Sequence, residues 1–260
     1  MLESVKDLRG CRILATDGAV GALIEFYFDD ASWQVRYLVV DTGNWLSGRR
    51  VLISPSSIRS LDPRAHTVTV ALTQDQIRYG PDIDTDKPVS RQHEAELAKY
   101  YGWPAYWAHS AFIPGVLVPA PPAVPSRTEL TESLSAESGD PHLRSTNEVI
   151  GYHLAARDGE FGHVEDFILD DSTWHIRYMV VDTRNWLPGK RVLVTPQWIE
   201  SIVWKERKVH LDLLQEAIRK SPEFDVKLPV SREYEERLLD YYGRPKYWVR
   251  KEGSEDQDSS

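Results

Sequence analysis

The side chains with the clearest capacity for chemistry lie in a loop that occurs twice, with the pattern Asp-Thr-x-Asn-Trp-Leu-x-Gly. A tryptophan in a loop is a typical anchor of a protein interface, because its large ring buries much area when it is covered. The alternative is that each ring closes the end of its own domain while the Asp and Asn side chains bond the turn backbone. Both interpretations stay open at this point. The residues of this candidate interaction loop are Asp41, Asn44, Trp45, Asp182, Asn185 and Trp186.

Charged side chains close to this loop could form ion pairs. Arg36 and Asp41 lie near each other in the sequence, and Arg177 and Asp182 occupy the same places in the second copy. Arg50 and its counterpart could pair with an acidic neighbour. Pairs of this kind are more often structural or solvated than catalytic, so we expect no active site here.

Two groups of residues have part of a metal-binding pattern. Asp82, Asp84 and Asp86 have the spacing that begins a calcium loop, but the glycine and the glutamate that complete such a loop are missing. His163 and Asp166 have no third ligand nearby in the sequence. We therefore expect no metal site and no other cofactor.

No motif of a known catalytic class is present. The sequence has no Gly-rich phosphate loop, no GxSxG, no HExxH and no Cys and His arrangement for nucleophilic catalysis. Its one cysteine, Cys11, rules out an internal disulfide framework, and the second copy has Tyr152 in its place. We expect a protein that is not an enzyme. A small-ligand site or a catalytic site of a new kind is kept as the last alternative.

The elements that must position these residues come from a duplication. The segment Asp29–Pro55 returns as Asp170–Pro196, displaced by 141 residues without a gap, and the match extends from Gly10 to Trp107 of the first copy. The two copies are named the first and the second repeat. Internal repeats of this length predict two domains of one fold, each able to bury its own core.

Each repeat predicts five or six short strands followed by one amphipathic helix. Asp-Gly turns, β-branched runs and strict alternation indicate the strands, and Phe26 with its counterpart Phe167 is the surest core position. Short strands with turns at this spacing are typical of a small barrel. The strands expected in the first repeat are Arg12–Ala15, a second one through Phe26, Trp33–Val40, Arg50–Ile53 and Thr67–Leu72.

The helix at the end of each repeat has clear start and stop signals. Ser90 and Ser231 are in the N-cap position, and glycines at Gly102 and Gly243 end the two helices. The tyrosines at helical spacing before these glycines are expected to pack on the barrel. A partner-binding groove is the alternative for the same aromatic residues.

The predicted domain boundaries follow from the repeats and the composition between them. The first barrel and its helix take residues 1–108, and a flexible linker rich in Pro and Ser takes 109–147. The second barrel and its helix take 148–250, and a disordered acidic tail takes 251–260.

Composition and charge narrow the range of functions. A content of 41% hydrophobic and 27% charged residues is typical of a soluble globular protein. The net charge of −9 is spread along the chain, which argues against direct nucleic-acid binding, since such binding needs a concentrated basic face. The start of the sequence has no apolar signal core, and the apolar stretch between the repeats is broken by prolines. We expect no membrane anchor and a cytoplasmic location.

The repeated strand and loop resemble a known family. The pattern DD-x-x-W-x-x-RY-x-VVDT, followed by NWL-x-G-(R/K)-RVL-x-x-P, is similar to the PRC-barrel family, and the chain resembles a bacterial tandem PRC-barrel protein. The family is named for the cytoplasmic domain of the photosynthetic reaction centre H subunit and includes the C-terminal domain of a ribosome maturation factor. The resemblance implies two tandem small β-barrels in a mainly β, pseudo-two-fold chain.

The resemblance also implies a function. Such barrels contact other macromolecules and catalyse nothing themselves, so the first hypothesis is a protein-interaction or scaffold module. Two copies of one surface in a chain further suggest intramolecular pairing of the barrels, with a homo-oligomer also possible. The second hypothesis is a factor of ribosome or RNA processing that acts through protein contacts. The sequence does not identify the protein partner.

Overall fold

The computed structural model describes residues 1–46, 48–81, 89, 91–107, 142–183 and 190–248. The described strands form two sheets of seven strands each, so the protein is mainly β, as the sequence predicts. The strands are β1 (Leu2–Ser4), β2 (Arg12–Ala15), β3 (Gly18–Asp29), β4 (Val35–Asp41), β5 (Arg50–Ile53), β6 (Ile58–Asp62), β7 (Thr67–Val70), β8 (Leu143–Ser145), β9 (His153–Ala156), β10 (Gly159–Asp170), β11 (His175–Asp182), β12 (Arg191–Val194), β13 (Ile199–Val203) and β14 (Lys208–Leu211). The α-helices are α1 (Val5–Leu8), α2 (Gln74–Arg78), α3 (Arg91–Tyr101), α4 (Thr146–Val149), α5 (Gln215–Lys220) and α6 (Arg232–Tyr241).

The two sheets have the same strand order. One runs β5-β4-β3-β2-β7-β6 and the other β12-β11-β10-β9-β14-β13. Neighbouring strands are antiparallel except for β2 with β7 and β9 with β14, which are parallel. Among the described strands, the pairings run from one edge strand to the other and do not close the sheet into a ring.

The chain divides into two compact units, and neither unit consists of one repeat alone. The first-repeat unit comprises the described residues within Val5–Val149 and Asp171–Ile176. The second-repeat unit comprises those within Met1–Ser4, Ile150–Asp170 and Arg177–Ser260. The short strand that precedes each repeat in the sequence therefore belongs to the unit built mainly from the other repeat.

These short strands extend the long strand at the centre of each sheet. In the first-repeat unit β8 pairs with Tyr27, Phe28 and Asp29 at the end of β3, whereas β2 pairs with the beginning of β3. In the second-repeat unit β1 pairs in the same way with the end of β10. β8 lies within the segment that the sequence assigns to the linker, so the last part of that segment is a strand.

A serine on each short strand bonds a buried acid on the long strand. Ser4 Oγ donates to Asp166 Oδ2 at 2.5 Å, and Ser145 Oγ donates to Glu25. Both acids lie inside the protein, with 6% of Asp166 and 7% of Glu25 exposed. Near the end of each long strand, one face therefore carries the buried acid and the other face carries Phe26 or its counterpart Phe167.

The third predicted strand begins later than the sequence suggests. β4 begins at Val35 and β11 at His175, because Trp33 and Trp174 have φ angles of 58° and 56°. These left-handed conformations belong to a turn and cannot continue a strand. The prediction that the strand includes Trp33 is therefore wrong, although its ring is buried and stacks on Phe28 at 5.0 Å.

The helices at the end of the repeats begin and end where the sequence predicts. Ser231 Oγ accepts a hydrogen bond from the backbone N–H of Tyr234, which caps α6. Gly102 and Gly243, with φ angles of 70° and 60°, follow α3 and α6 and allow the chain to leave the helix. Ser90, the predicted cap of α3, lies outside the described residues.

Candidate functional site

The first-repeat unit contains a fully buried carboxylate, that of Glu94 on α3. The hydroxyl of Tyr106 donates to its Oε1 at 2.5 Å, and that of Tyr37 on β4 lies 3.3 Å from the same oxygen. His142 Nε2 lies 2.8 Å from Oε2. A buried carboxylate is tolerated because these donors replace its hydration.

The second-repeat unit has the same arrangement around Glu235 on α6. Its Oε1 accepts hydrogen bonds from Tyr178 at 2.9 Å and from Tyr247 at 2.8 Å. Arg232 Nη1 lies 2.9 Å from Oε2, the oxygen whose equivalent in Glu94 is contacted by His142 in the other unit. Each cluster joins a strand of the sheet, the helix and the aromatic segment that follows the helix.

The tyrosines of the second cluster are held in their neutral form. Burial raises the pKa of Tyr178, and the neighbouring charge of Glu235 raises it further. Burial together with the hydrogen bond to Glu235 raises the pKa of Tyr247 to about 12. Phenols whose pKa values are raised in this way stay protonated at neutral pH, so both hydroxyls remain donors to Glu235.

A crevice lies beside the cluster in each unit, at matching positions of the two repeats. The crevice of the second repeat has a volume of about 320 Å³, and that of the first repeat about 180 Å³. An arginine of β4 or β11 bounds each one and lies over the tyrosine that follows the helix. The guanidinium of Arg36 is 3.6 Å from the ring centroid of Tyr106, and that of Arg177 is 4.2 Å from Tyr247.

Trp45 of the candidate interaction loop lies in a 3₁₀ turn, Gly43–Leu46. Asp41 Oδ1 accepts the backbone N–H of Gly43 at 2.8 Å, so this carboxylate bonds the turn backbone. The Trp45 ring is half-buried, with the guanidinium of Arg78 5.5 Å from its centroid, while Asn44 is exposed. The structure thus brings Asp41, Asn44 and Trp45 together at one end of β4.

The loop of the second repeat is described only in part. Asp182 is buried, with 1% of its surface exposed, and lies 3.9 Å from His163 Nε2. Asn185 and Trp186 lie outside the described residues. For these two positions, the choice between an exposed anchor and a closing ring stays a prediction.

The ion pairs differ from those that the sequence suggests. Arg36 lies 3.9 Å from Asp29 and Arg177 lies 3.0 Å from Asp170, at the end of the neighbouring long strand. Arg36 and Asp41 are five residues apart on one strand, and an odd separation places two side chains on opposite faces. The expected pair of Arg36 with Asp41 is therefore wrong. Arg191, the counterpart of Arg50, pairs with Glu165 at 2.5 Å, which confirms an acidic neighbour for that position.

Of the metal candidates from the sequence, the structure describes His163 and Asp166, and these two do not belong to a group of metal ligands. Within the part of the chain that the structure describes, no group of three or more His, Cys, Asp or Glu residues could hold a metal ion. Asp166 is bonded by Ser4, and Asp82, Asp84 and Asp86 lie outside the described residues. Cys11 is buried, and burial raises the pKa of its thiol, which disfavours the reactive thiolate.

The glutamate clusters and the crevices are the site features that sequence reasoning missed. A signal for them was present, because Glu94, Tyr37 and Tyr106 are each identical in the second repeat at a distance of 141 residues. A glutamate retained in both copies of the helix, at helical spacing from the retained Leu97 and Tyr101, indicates a common role on the same helix face. Comparison of the repeats position by position would have placed the glutamate on the buried face.

These features define a class: a mainly β protein with two sheets of matching strand order, each accompanied by a helix whose buried glutamate binds two tyrosines. The family model for the PRC-barrel domain matches residues 2–77. This part of the chain is a PRC-barrel domain. No curated protein matches the chain. Among the described residues, no helix has the length and apolar character needed to cross a membrane.

Proposed function

We propose that the protein is a non-catalytic tandem PRC-barrel protein, in which the second repeat is also a PRC barrel, and that it binds a partner protein. The observation that carries this proposal is a groove with fixed apolar side chains at its surface, named here the helix groove. It has a volume of about 360 Å³ and is lined by Arg157, Asp212, Leu213, Leu214, Ala217, Tyr241 and Tyr242.

Two apolar side chains of the helix groove are exposed, and a hydrogen bond holds one of them in place. Leu214 is 52% exposed and Tyr241 is 40% exposed. The hydroxyl of Tyr241 donates to the carbonyl of Ala217 at 2.8 Å, which fixes its ring at the surface. An aromatic side chain that is already ordered loses little entropy when a partner covers it, and such residues dominate the energy of protein interfaces.

The first-repeat unit presents an aromatic residue in the same way. Tyr100 is the counterpart of Tyr241, is 44% exposed, and donates its hydroxyl to the carbonyl of Gln76 at 3.1 Å. The prediction that the tyrosines of the helix pack on the barrel therefore holds only in part, because this one faces outward. The alternative of a partner groove gains support at these positions.

The buried acids support the non-catalytic part of the proposal. Glu94 is contacted by Tyr37, Tyr106 and His142 from three other segments, and Glu235 by Tyr178 and Tyr247 from two, and these contacts hold each helix against its sheet. A carboxylate saturated in this way contributes to tertiary structure. Intramolecular pairing of the barrels stays a prediction.

The proposal is tested by affinity capture from the native host with a matched pair of exposed leucines. Leu214→Asp places a charge in the helix groove, and Leu228→Asp places one at a residue that is 63% exposed and does not line it. We expect Leu214→Asp to lose the captured partner and Leu228→Asp to retain it, because a desolvated carboxylate opposes burial of the groove. Equal recovery by both variants would exclude the helix groove as the binding surface.

The loop around Trp45 is tested in the same assay. If Trp45 is an interface anchor, Trp45→Ala reduces capture while its thermal stability stays close to that of the parent protein. If the ring only supports its own domain, Trp45→Ala lowers stability and leaves capture by the folded protein unchanged.

A further inference from the structure

The crevice of the second repeat is wider than its counterpart in the first repeat, which Trp103 narrows. In the first repeat the indole of Trp103 stacks on Tyr101 with ring centroids 4.3 Å apart and donates to Ser57 Oγ at 2.6 Å. In the second repeat Arg244 stands at the position of Trp103, and the crevice widens to about 320 Å³. This volume is at the lower end of the range found for small-molecule sites, roughly 300–1,000 Å³.

The inner wall of the open crevice is apolar and ordered. Trp198 and Leu239 contribute to it and are 2% and 4% exposed. Tyr247 forms another side, and its hydroxyl bond to Glu235 fixes the ring. Flat aromatic surfaces held in place are suited to receive the ring of a ligand.

The charge of the crevice is positive. Two guanidinium groups lie among its described lining residues, and none of these residues is an acid. Arg177 is 3.0 Å from Asp170 and lies over Tyr247, so its role is to support the aromatic wall.

Arg244 is different, since it is 41% exposed and its contact with Asp212 is 3.9 Å long. An exposed ion pair of that length contributes little, which leaves this guanidinium able to bind an anion.

The chemistry of Arg244 favours a carboxylate. A guanidinium group presents two parallel N–H donors that match the two oxygens of a carboxylate. Gln197 adds a polar group to the rim, where the hydroxyl of Thr195 donates to its Oε1 and leaves the amide nitrogen as a donor.

We infer that the second-repeat crevice binds a small aromatic carboxylate, with its ring on Trp198 and Leu239 and its carboxylate on Arg244. The volume of the crevice favours a single-ring molecule over a peptide of several residues. This inference goes beyond the proposed protein-binding function and does not depend on it, because Leu214 and Tyr241 do not line the crevice.

The experiment is calorimetric titration of the full-length protein with benzoate and with benzamide, its neutral counterpart of the same shape. We expect benzoate to bind at one site. The affinity for benzamide should be lower by a factor of roughly ten or more, because the amide lacks the charge that Arg244 pairs with. Arg244→Gln should weaken benzoate to the level of benzamide. The control Arg237→Gln, which removes an exposed arginine of α6 that does not line the crevice, should bind benzoate as the parent does.

A second variant separates loss of the site from loss of the fold. Arg244→Trp restores the residue of the first repeat, so it should close the crevice and abolish binding of benzoate and benzamide alike while the thermal transition is retained. Absence of benzoate binding to the parent protein, equal affinity for benzoate and benzamide, or undiminished binding by Arg244→Trp would each overturn the inference. The capture experiment with Leu214→Asp tests a different surface, so its result does not depend on any of these outcomes.

Discussion

Replacement of Ser4 by alanine should destabilise the second-repeat unit, to which β1 belongs. The first-repeat unit, which follows Ser4 in the sequence, should be unaffected. Ser4 Oγ donates to the buried carboxylate of Asp166 at 2.5 Å, and β1 pairs with the end of β10. A hydrogen bond to a charged group contributes about 1.5–3 kcal/mol. Loss of this bond therefore corresponds to a roughly tenfold to hundredfold decrease in protection of the amides that β1 covers.

The assay is hydrogen exchange of individual amides in the full-length protein. Ser4→Ala should accelerate exchange at Ile168 and Leu169 of β10, which are paired with β1. The matched variant is Ser145→Ala, which removes the equivalent bond to Glu25. It should accelerate exchange at Tyr27 and Phe28 of β3 instead.

The opposite pattern would refute the reasoning. If Ser4→Ala increased exchange at Tyr27 and Phe28 and left Ile168 unchanged, β1 would pair with its own repeat in solution. If neither variant changed exchange at either long strand, the serine contacts would not stabilise the sheets.

Three further predictions follow from the buried clusters and the close contacts. Tyr178→Phe removes a donor from buried Glu235 and should lower the free energy of unfolding by about 1.5–3 kcal/mol in urea, whereas Tyr37→Phe should cost less because its bond to Glu94 is 3.3 Å long. Burial raises the pKa of Tyr101, Tyr242 and Tyr247 to about 12 from 10.0, so the unfolded chain loses these protons first. The stability they contribute is fully present below pH 10 and is lost as the pH rises through about 12, which circular dichroism across this range should show. Gly21→Ala would place a methyl group against the carbonyl oxygen of Asp41, so its melting temperature should fall well below that of a control Ala22→Ser on the same strand. A melting temperature for Gly21→Ala equal to that of the control would contradict the close contact.

The elements that the sequence predicted well are those specified by local signals. Arg12–Ala15 and Arg50–Ile53 are strands with the predicted bounds, because turn residues flank short β-branched runs on both sides. Phe26 is fully buried, since alternation and size point to one face of the strand. Ser231 caps its helix as expected, because the bond is made to a backbone group three residues away.

The elements that the sequence did not predict depend on distant partners. Leu2–Ser4 is too short to be recognised as a strand, and it becomes one only because β10 offers an unpaired edge. The same holds for Leu143–Ser145, which lies in a segment of linker-like composition. The left-handed conformation of Trp33 also cannot be predicted from residue propensities, because a large aromatic residue in a β-rich run predicts a continued strand.

Of the features of the candidate site, the sequence predicted only the candidate interaction loop. Asp41 and Trp45 were identified from the repeat, and the structure places them in one turn. The crevice of the second repeat depends on a difference between the copies. Arg244 occupies the position at which Trp103 narrows the crevice of the first repeat. A motif search looks for what the copies share and so overlooks a site made by what they do not share.

The reciprocal placement of the two short strands has a consequence for how such a chain could be divided. Arg144 on β8 pairs with Asp30 at 3.0 Å, and the residue at its position in the first repeat is Glu3, which would bring a second negative charge to the same place. A gene fragment that encodes only the first repeat would therefore produce a sheet in which the end of β3 has no partner strand. The short strand of that fragment would carry the negative charge of Glu3 in place of the positive charge of Arg144. Two separately expressed halves would each carry the piece that the other requires, so they should be recovered as soluble protein only when produced together.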